Sequence, residues 1–194
     1  KGNLQTVTSL LQLQLRSVED ERVRRPLEES RGRVAAMGLL HERLHGTGIA
    51  ERVELADYLR RLVADVLRSR GVNGGVTTSL ALEEMEVDVD DGVACGLIVH
   101  ELVTNALRHA FPEGAEGEIR VGLRRREDGA LLVVADDGRG LEGDAAGPEG
   151  ALGLELVRSL VGQLDGRLRI RGGDGTRVEV VFPTTDTVRE GGPS

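Results

Sequence analysis

Between His100 and Phe111 the chain reads HELVTNALRHAF, with Glu101 and Asn105 four residues apart and His109 one turn further on. On a helix these three fall along one line, because side chains four apart are neighbours. They offer a carboxylate, an amide oxygen and an imidazole. Oxygen ligands of this sort suit a magnesium ion that keeps several waters and bridges phosphates. A solvated polar face would carry the same residue types, but Asn is a mediocre helix former, so Thr104-Asn105 in mid-helix calls for a further reason.

A second cluster lies at ADDGRGLEG, residues 135–143, directly after the apolar run LLVV. Gly138, Gly140 and Gly143 complete a G-x-G-x-x-G, the spacing of a dinucleotide-binding turn. Such a turn needs its last glycine to open a helix and an acid about 20 residues on at the end of a second parallel strand. Here the glycines and proline of GDAAGPEG follow instead, a poor helix and a good mobile loop, and the region where the acid should stand, ELVRSL, is helical in pattern. What remains is Asp136 or Asp137 emerging at a strand end, where glycines let a ligand approach the main chain.

These residues must be positioned by two halves of different period. From Leu4 to His45 apolar residues recur at three and four: Leu4, Val7, Leu11 and Leu15, then Val34, Met37, Leu40 and Leu44 beyond the polar EDERVRR. This predicts a helical hairpin over residues 1–46. Two such helices have no core of their own, so the stripe must meet the rest of the chain or, as favoured here, a second copy in a four-helix bundle. GTGIAE, residues 46–51, reads as a hinge. A helical pattern follows from Val53 to Arg70, with Leu55, Leu59, Leu62, Val63 and Val66 on its stripe. VTTSLALE reads as a strand, Asp91 to Ala110 as a long helix, and EIRVGLRRR and ALLVVADD as strands joined by Glu127-Asp128-Gly129. A helix over about Leu152 to Leu164 and the strands RLRIRG and TRVEVVFP complete the pattern, and residues 184–194 read as a disordered tail. Asp-Gly turns imply antiparallel pairing, whereas a parallel sheet needs helical crossovers. The expected fold is α+β: the hairpin, then an α/β sandwich with a mixed sheet covered by helices over 51–183.

Composition narrows the function. With 33 acidic and 25 basic residues and a net charge of −8, the chain is not built around a nucleic-acid surface. One Tyr, two Phe and no Trp leave no aromatic platform for stacking bases. The single Cys95 makes no intramolecular disulfide and no cysteine metal site, which fits a reducing compartment. No run approaches the roughly 18 to 20 apolar residues that span a bilayer, so a cytoplasmic protein without membrane contact is expected. His41 and His45 have the spacing of a metal pair but no third ligand, and read as surface residues. Arg124 to Arg126 read as a solvated run beside a turn, while His100 lies beside the polar face and could close a hydrogen-bond network.

Taken in order, HELVTNALRHAF, DDGRG, GALGLELV and GGDGT resemble the N box and three glycine boxes of the GHKL ATP-binding domain of histidine kinases, gyrase-type ATPases and MutL. NALRHAFPEG and the front hairpin look most like bacterial sensor histidine kinases with a short dimerisation hairpin. The resemblance implies ATP and magnesium as cofactors, with Asn105 holding the metal against the phosphates. By the same resemblance Glu101 is the acidic residue that polarises or positions, and Arg108 and His109 approach the phosphates. Asp136 matches the carboxylate that binds the adenine amino group, with Gly138 and Gly140 shaping the pocket. Gly153 and Leu154 match the second glycine box, where a helix N-terminus can face phosphate, and Thr176 matches the third. Residues 142–151 would be a short lid. The implied activity is transfer of the γ-phosphate to a hairpin histidine and then to an aspartate of a response-regulator receiver domain, by a homodimer. The acceptor histidine of the family lies three residues before the lysine that Lys1 resembles, so it is expected upstream of this chain, and Gly2 stands where asparagine is usual. The same nucleotide domain also serves anti-sigma-type kinases, which lack the hairpin, and non-catalytic nucleotide-binding regulators.

Overall fold

The computed structural model describes residues 3–44, 52–69, 75–112, 115–140 and 147–184. They form two compact units that divide between Glu51 and Arg52. The expected hinge at 46–51 and the tail from 185 lie outside the described residues, as do the side chains of His41 and His45.

The first unit is a helical hairpin of α1 (Asn3–Ser17) and α2 (Glu21–Leu44). Asp20 starts α2 as its N-cap: Oδ1 accepts the Arg22 N–H at 2.9 Å, satisfying a donor that the first turn leaves without a partner. The polar EDERVRR is therefore split, with its second half already helical. Pro26 sits inside α2, where it removes one ladder hydrogen bond. The expected stripe of α1 also divides. Leu4, Thr8, Leu11 and Leu15 are half-buried, whereas Val7, Leu10 and Leu13 are exposed.

The second unit is a five-stranded mixed sheet in the order β2-β4-β5-β7-β6 with three helices, α3 (Leu55–Ser69), α4 (Val89–Asn105) and α5 (Gly147–Gln163). Strands β2 (Val76–Leu82) and β4 (Gly117–Arg126) run parallel, as the intervening α4 crossover requires. Strands β5 (Gly129–Asp136), β6 (Arg167–Arg171) and β7 (Thr176–Phe182) extend the sheet antiparallel through tight turns. Register places Ile119, Val121 and Leu123 beside Val134 and Leu132, which in turn face Val178 and Val180, and all of these are buried. The intervening positions of the outer strands carry arginines, the alternation expected of a sheet covered on one face.

The α3 stripe is as its spacing predicts, with Tyr58 added to Leu55, Leu59, Leu62, Val63 and Val66 in the core. Gly96 of α4 leaves the room for the Tyr58 ring, since a Cβ there would overlap it. One expectation needs extension. Val53 belongs to a two-stranded clasp, β1 (Arg52–Glu54) with β3 (Glu86–Asp88), so α3 begins only at Leu55. Glu54 fixes that start: its two carboxylate oxygens accept the N–H groups of Ala56 and Asp57 at 3.1 and 2.6 Å, and Oε1 also takes the Met85 N–H at 3.1 Å. A carboxylate on a helix N-terminus is favoured by the unpaired donors and the dipole.

Two helix boundaries differ from the expectation. The long helix is α-helical from Val89 to Asn105, and Ala106–Ala110 then form a π-helical turn. Helix α5 starts at Gly147, not near Leu152, so GPEG is helical where a mobile loop was expected. Pro148 is tolerated there because the first turn has no intrahelical use for its missing N–H.

Candidate functional site

Helix α4 is central, packed by α3 and α5 and lying over β5. The side read as polar and solvated is therefore buried: His100, Glu101 and Thr104 are 6%, 5% and 4% exposed. Burying a carboxylate and a hydroxyl is costly unless each is satisfied. His100 Nδ1 lies 3.3 Å from Glu101 Oε1. Thr104 Oγ1 is buried with no hydrogen-bond partner among the described residues. Asn105, next in the chain, is half-buried at the last turn of α4.

Gly153 is what lets α5 come close. A Cβ at Gly153 would stand 3.2 Å from Glu101 Oε2 and 3.3 Å from Asn105 Nδ2, so glycine keeps that ground open between helix and polar pair. Gly153 sits six residues into α5 and not at its N-terminus, so the helix-terminus role expected of it is corrected to close approach. Leu154 beside it is half-buried. The expected lid is likewise shorter: residues 147–151 belong to α5, and 141–146 lie outside the described residues.

The π-helical turn bends the line that Glu101, Asn105 and His109 were expected to share. Its i→i+5 bonding turns Arg108 and His109 away from ideal α-helical positions. Both are half-buried. The turn also carries Ala110 to the glycine loop, where the Ala110 carbonyl accepts the Arg139 N–H at 2.9 Å and Gly138 packs so closely that a Cβ would overlap that carbonyl.

The two aspartates have separate tasks. Asp137 clips the loop to β4: its Oδ1 accepts the Glu118 N–H at 2.6 Å, and its own N–H donates to the Glu118 carbonyl at 3.3 Å. Asp136 faces the turn. Its Oδ1 accepts the N–H of Gly138 at 3.1 Å and of Thr176 at 3.2 Å, Thr176 being its partner across β5 and β7. Burial holds the Asp136 carboxyl above the usual aspartate range, and these donors pull it back only in part. Gly140 (φ +74) and Gly175 (φ +92) take a backbone region that side chains avoid. A Cβ on Gly140 would overlap the Gly173 carbonyl, and one on Gly175 the Asp136 carbonyl.

The structure thus gathers the expected residues into two groups. Glu101 and Asn105 meet Gly153, while Asp136, Gly138, Gly140 and Thr176 form the loop-and-turn cluster, joined to the end of the N-box helix through Ala110. Sequence reasoning missed Asp137 as a clip and Ala110 as a seat for the loop. Position supplied the only signal for Asp137, an acid directly after a strand-end acid. Among the described residues no group of three or more His, Cys, Asp or Glu could hold a metal. The fit to a magnesium nucleotide rests instead on the orphaned Thr104 hydroxyl, the ground kept open at Gly153 and the half-buried Asp136 carboxylate, all polar features suited to a polar ligand.

Comparison with known proteins agrees with this arrangement. Residues 1–70 match the family model described as histidine kinase, and residues 90–186 match that of the histidine kinase-, DNA gyrase B- and HSP90-like ATPases. The chain is 35% identical over 174 residues to the sensor histidine kinase PdtaS of Mycobacterium tuberculosis, covering 88% of this chain and 34% of that protein. It is 32% identical over 190 residues to blue-light-activated histidine kinase 2 of Erythrobacter litoralis, covering 94% of this chain and 54% of that one. The chain therefore spans between a third and about half of these relatives. In structure it is similar to the histidine kinase domain from an Erythrobacter litoralis blue-light-activated kinase, with a TM-score of 0.76 and 29% identity over 96% of this chain and 88% of that one. No helix among the described residues is long and apolar enough to cross a membrane.

Proposed function

The chain belongs to the histidine kinases, its second unit being the ATPase domain they share with DNA gyrase B and HSP90, and we propose that it binds magnesium ATP and transfers the γ-phosphoryl group to a histidine. A receiver-domain aspartate of a response regulator is the onward acceptor. The observation that carries this reading is the convergence of Glu101 and Asn105 on Gly153, together with the Asp136 carboxylate held by Gly138 and Thr176.

In this reading Asp136 and Thr176 hold the adenine end, with Gly138 and Gly140 giving the main chain room. Asn105 is the metal ligand, and Arg108 and His109 serve the phosphates from the π-helical turn. Magnesium ATP supplies an activated phosphoryl group whose charge the metal partly neutralises. The protein's share is positioning: Asn105 and Glu101 are held by a buried helix, and Glu101 can accept the proton that the attacking imidazole loses. The exposed apolar face of α1, with Val7, Leu10 and Leu13 at 42%, 56% and 59%, supports a homodimer through the hairpin.

Incubation with magnesium and γ-labelled ATP of the protein carrying the residues upstream of Lys1 tests the proposal. Acid-labile, base-stable label is expected, the signature of phosphohistidine. Acid-stable label would point to a serine or threonine kinase, and intact ATP binding without label would leave a nucleotide-binding regulator.

A further inference from the structure

Two buried polar side chains adjacent in sequence are unusual on a helix, since successive residues point about 100° apart. His100 and Glu101 nevertheless meet, Nδ1 to Oε1 at 3.3 Å, and each side chain is only 7% exposed. The second carboxylate oxygen is turned elsewhere: Oε2 is the atom nearest the position a Cβ would take at Gly153, beside the Asn105 amide. The two oxygens of Glu101 are thus divided between an imidazole on one side and the α5 approach on the other.

We propose that His100 is a positioning residue, whose Nδ1–H holds Glu101 Oε1 so that Oε2 faces the ground between Asn105 and Gly153. The proposal rests on the ATP-site reading of Glu101 and Asn105 given above. An ionised carboxylate only accepts hydrogen bonds, so the proton between the pair belongs to Nδ1. A glutamate has three rotatable side-chain bonds, and in a helix without such an anchor its carboxylate would exchange among rotamers. Anchoring one oxygen fixes the other where a proton must be received, and small misplacements of a reacting group are costly in rate. His100 itself need not touch nucleotide.

The first readout is the imidazole ¹⁵N spectrum of the whole protein without nucleotide. A protonated Nδ1 on His100 is expected, and a signal showing Nδ1 bare would overturn the proposal. The second readout compares variants. His100→Asn places an amide N–H where Nδ1 stands, whereas His100→Leu removes the donor and keeps the bulk. Turnover of γ-labelled ATP in His100→Leu should fall in kcat by about 10- to 100-fold, with the affinity for ATP changed less than about twofold, and His100→Asn should recover most of the loss. Equal defects in both variants, or a loss confined to ATP affinity, would reduce His100 to a packing residue. The nucleotide reading is checked separately through Asp136→Ala. Should that variant still bind ATP, the site reading fails; should it lose ATP while His100→Leu turns over normally, only the positioning role fails.

Discussion

Asp136 Oδ1 accepts the backbone N–H of Thr176 at 3.2 Å, joining the last residue of β5 to the first of β7 across forty positions of sequence. The same oxygen takes the Gly138 N–H, so the carboxylate is fixed by main chain on two sides.

Replacing Asp136 by Ala should abolish most nucleotide affinity while leaving the fold in place. A hydrogen bond to a charged group contributes about 1.5–3 kcal/mol, equivalent to roughly 10- to 150-fold in Kd. Calorimetric titration with magnesium ATP measures it, with circular dichroism to establish that the variant is folded. Unchanged affinity would remove Asp136 from the adenine end.

The raised pKa of Asp136 makes a second prediction. Because the folded protein holds this proton more tightly than the unfolded chain, the group's favourable contribution is complete below the unfolded value of about 3.9. It is lost as pH rises through the folded pKa. At pH 7 the ionised, half-buried carboxylate therefore opposes folding. Asp136→Asn keeps the Oδ1 acceptor and should raise Tm at pH 7, with the gain fading toward pH 3. A gain that grew toward acid would contradict the assigned direction.

Glycine substitutions should separate by position. At Gly175 an alanine must adopt φ near +92 and overlap the Asp136 carbonyl, so Gly175→Ala should cost about 2 kcal/mol or more and weaken ATP binding with it. At Gly162, inside α5, a Cβ meets nothing within 4 Å. There alanine should stabilise by about 0.5–1 kcal/mol, the usual gain over glycine in a helix interior. Urea unfolding of the two variants measures both.

The hairpin gives a prediction independent of the nucleotide. Leu10→Glu with Leu13→Glu puts two charges on the exposed apolar face of α1. Sedimentation should show a dimer for the parent protein and a monomer for the double variant, with helix content kept. A parent monomer at high concentration would contradict the hairpin dimer.

Period made most of the second unit legible in its sequence. Alternation in EIRVGLRRR and ALLVVADD gives β4 and β5, and the stripe from Leu55 to Val66 gives α3, because each element buries one face. Strands of three residues leave no such trace, and β1 and β3 exist because Glu54 caps α3 and holds Met85, a contact between distant segments. The π-helical turn at 106–110 is equally silent, since its residues carry an ordinary helical pattern and the change of bonding serves the seat at Ala110. Glu101 and Asn105 were legible by spacing. Their burial was not, because it depends on α5 crossing at Gly153. In the other direction, Pro148 was misread as a helix breaker when it sits where a helix accepts proline.

Strand β7 lies between β5 and β6, although it is the last strand of the chain to be made. Leu132 and Val134 cannot meet Val180 and Val178, nor can Leu168 and Ile170, until the ribosome has released the end of the domain. A nascent chain stalled before Thr176 carries β5 with a bare edge and the Asp136 carboxylate without its Thr176 donor. The domain therefore closes only after translation has passed Phe182, and an incomplete chain acquires neither a sealed core nor a formed nucleotide site.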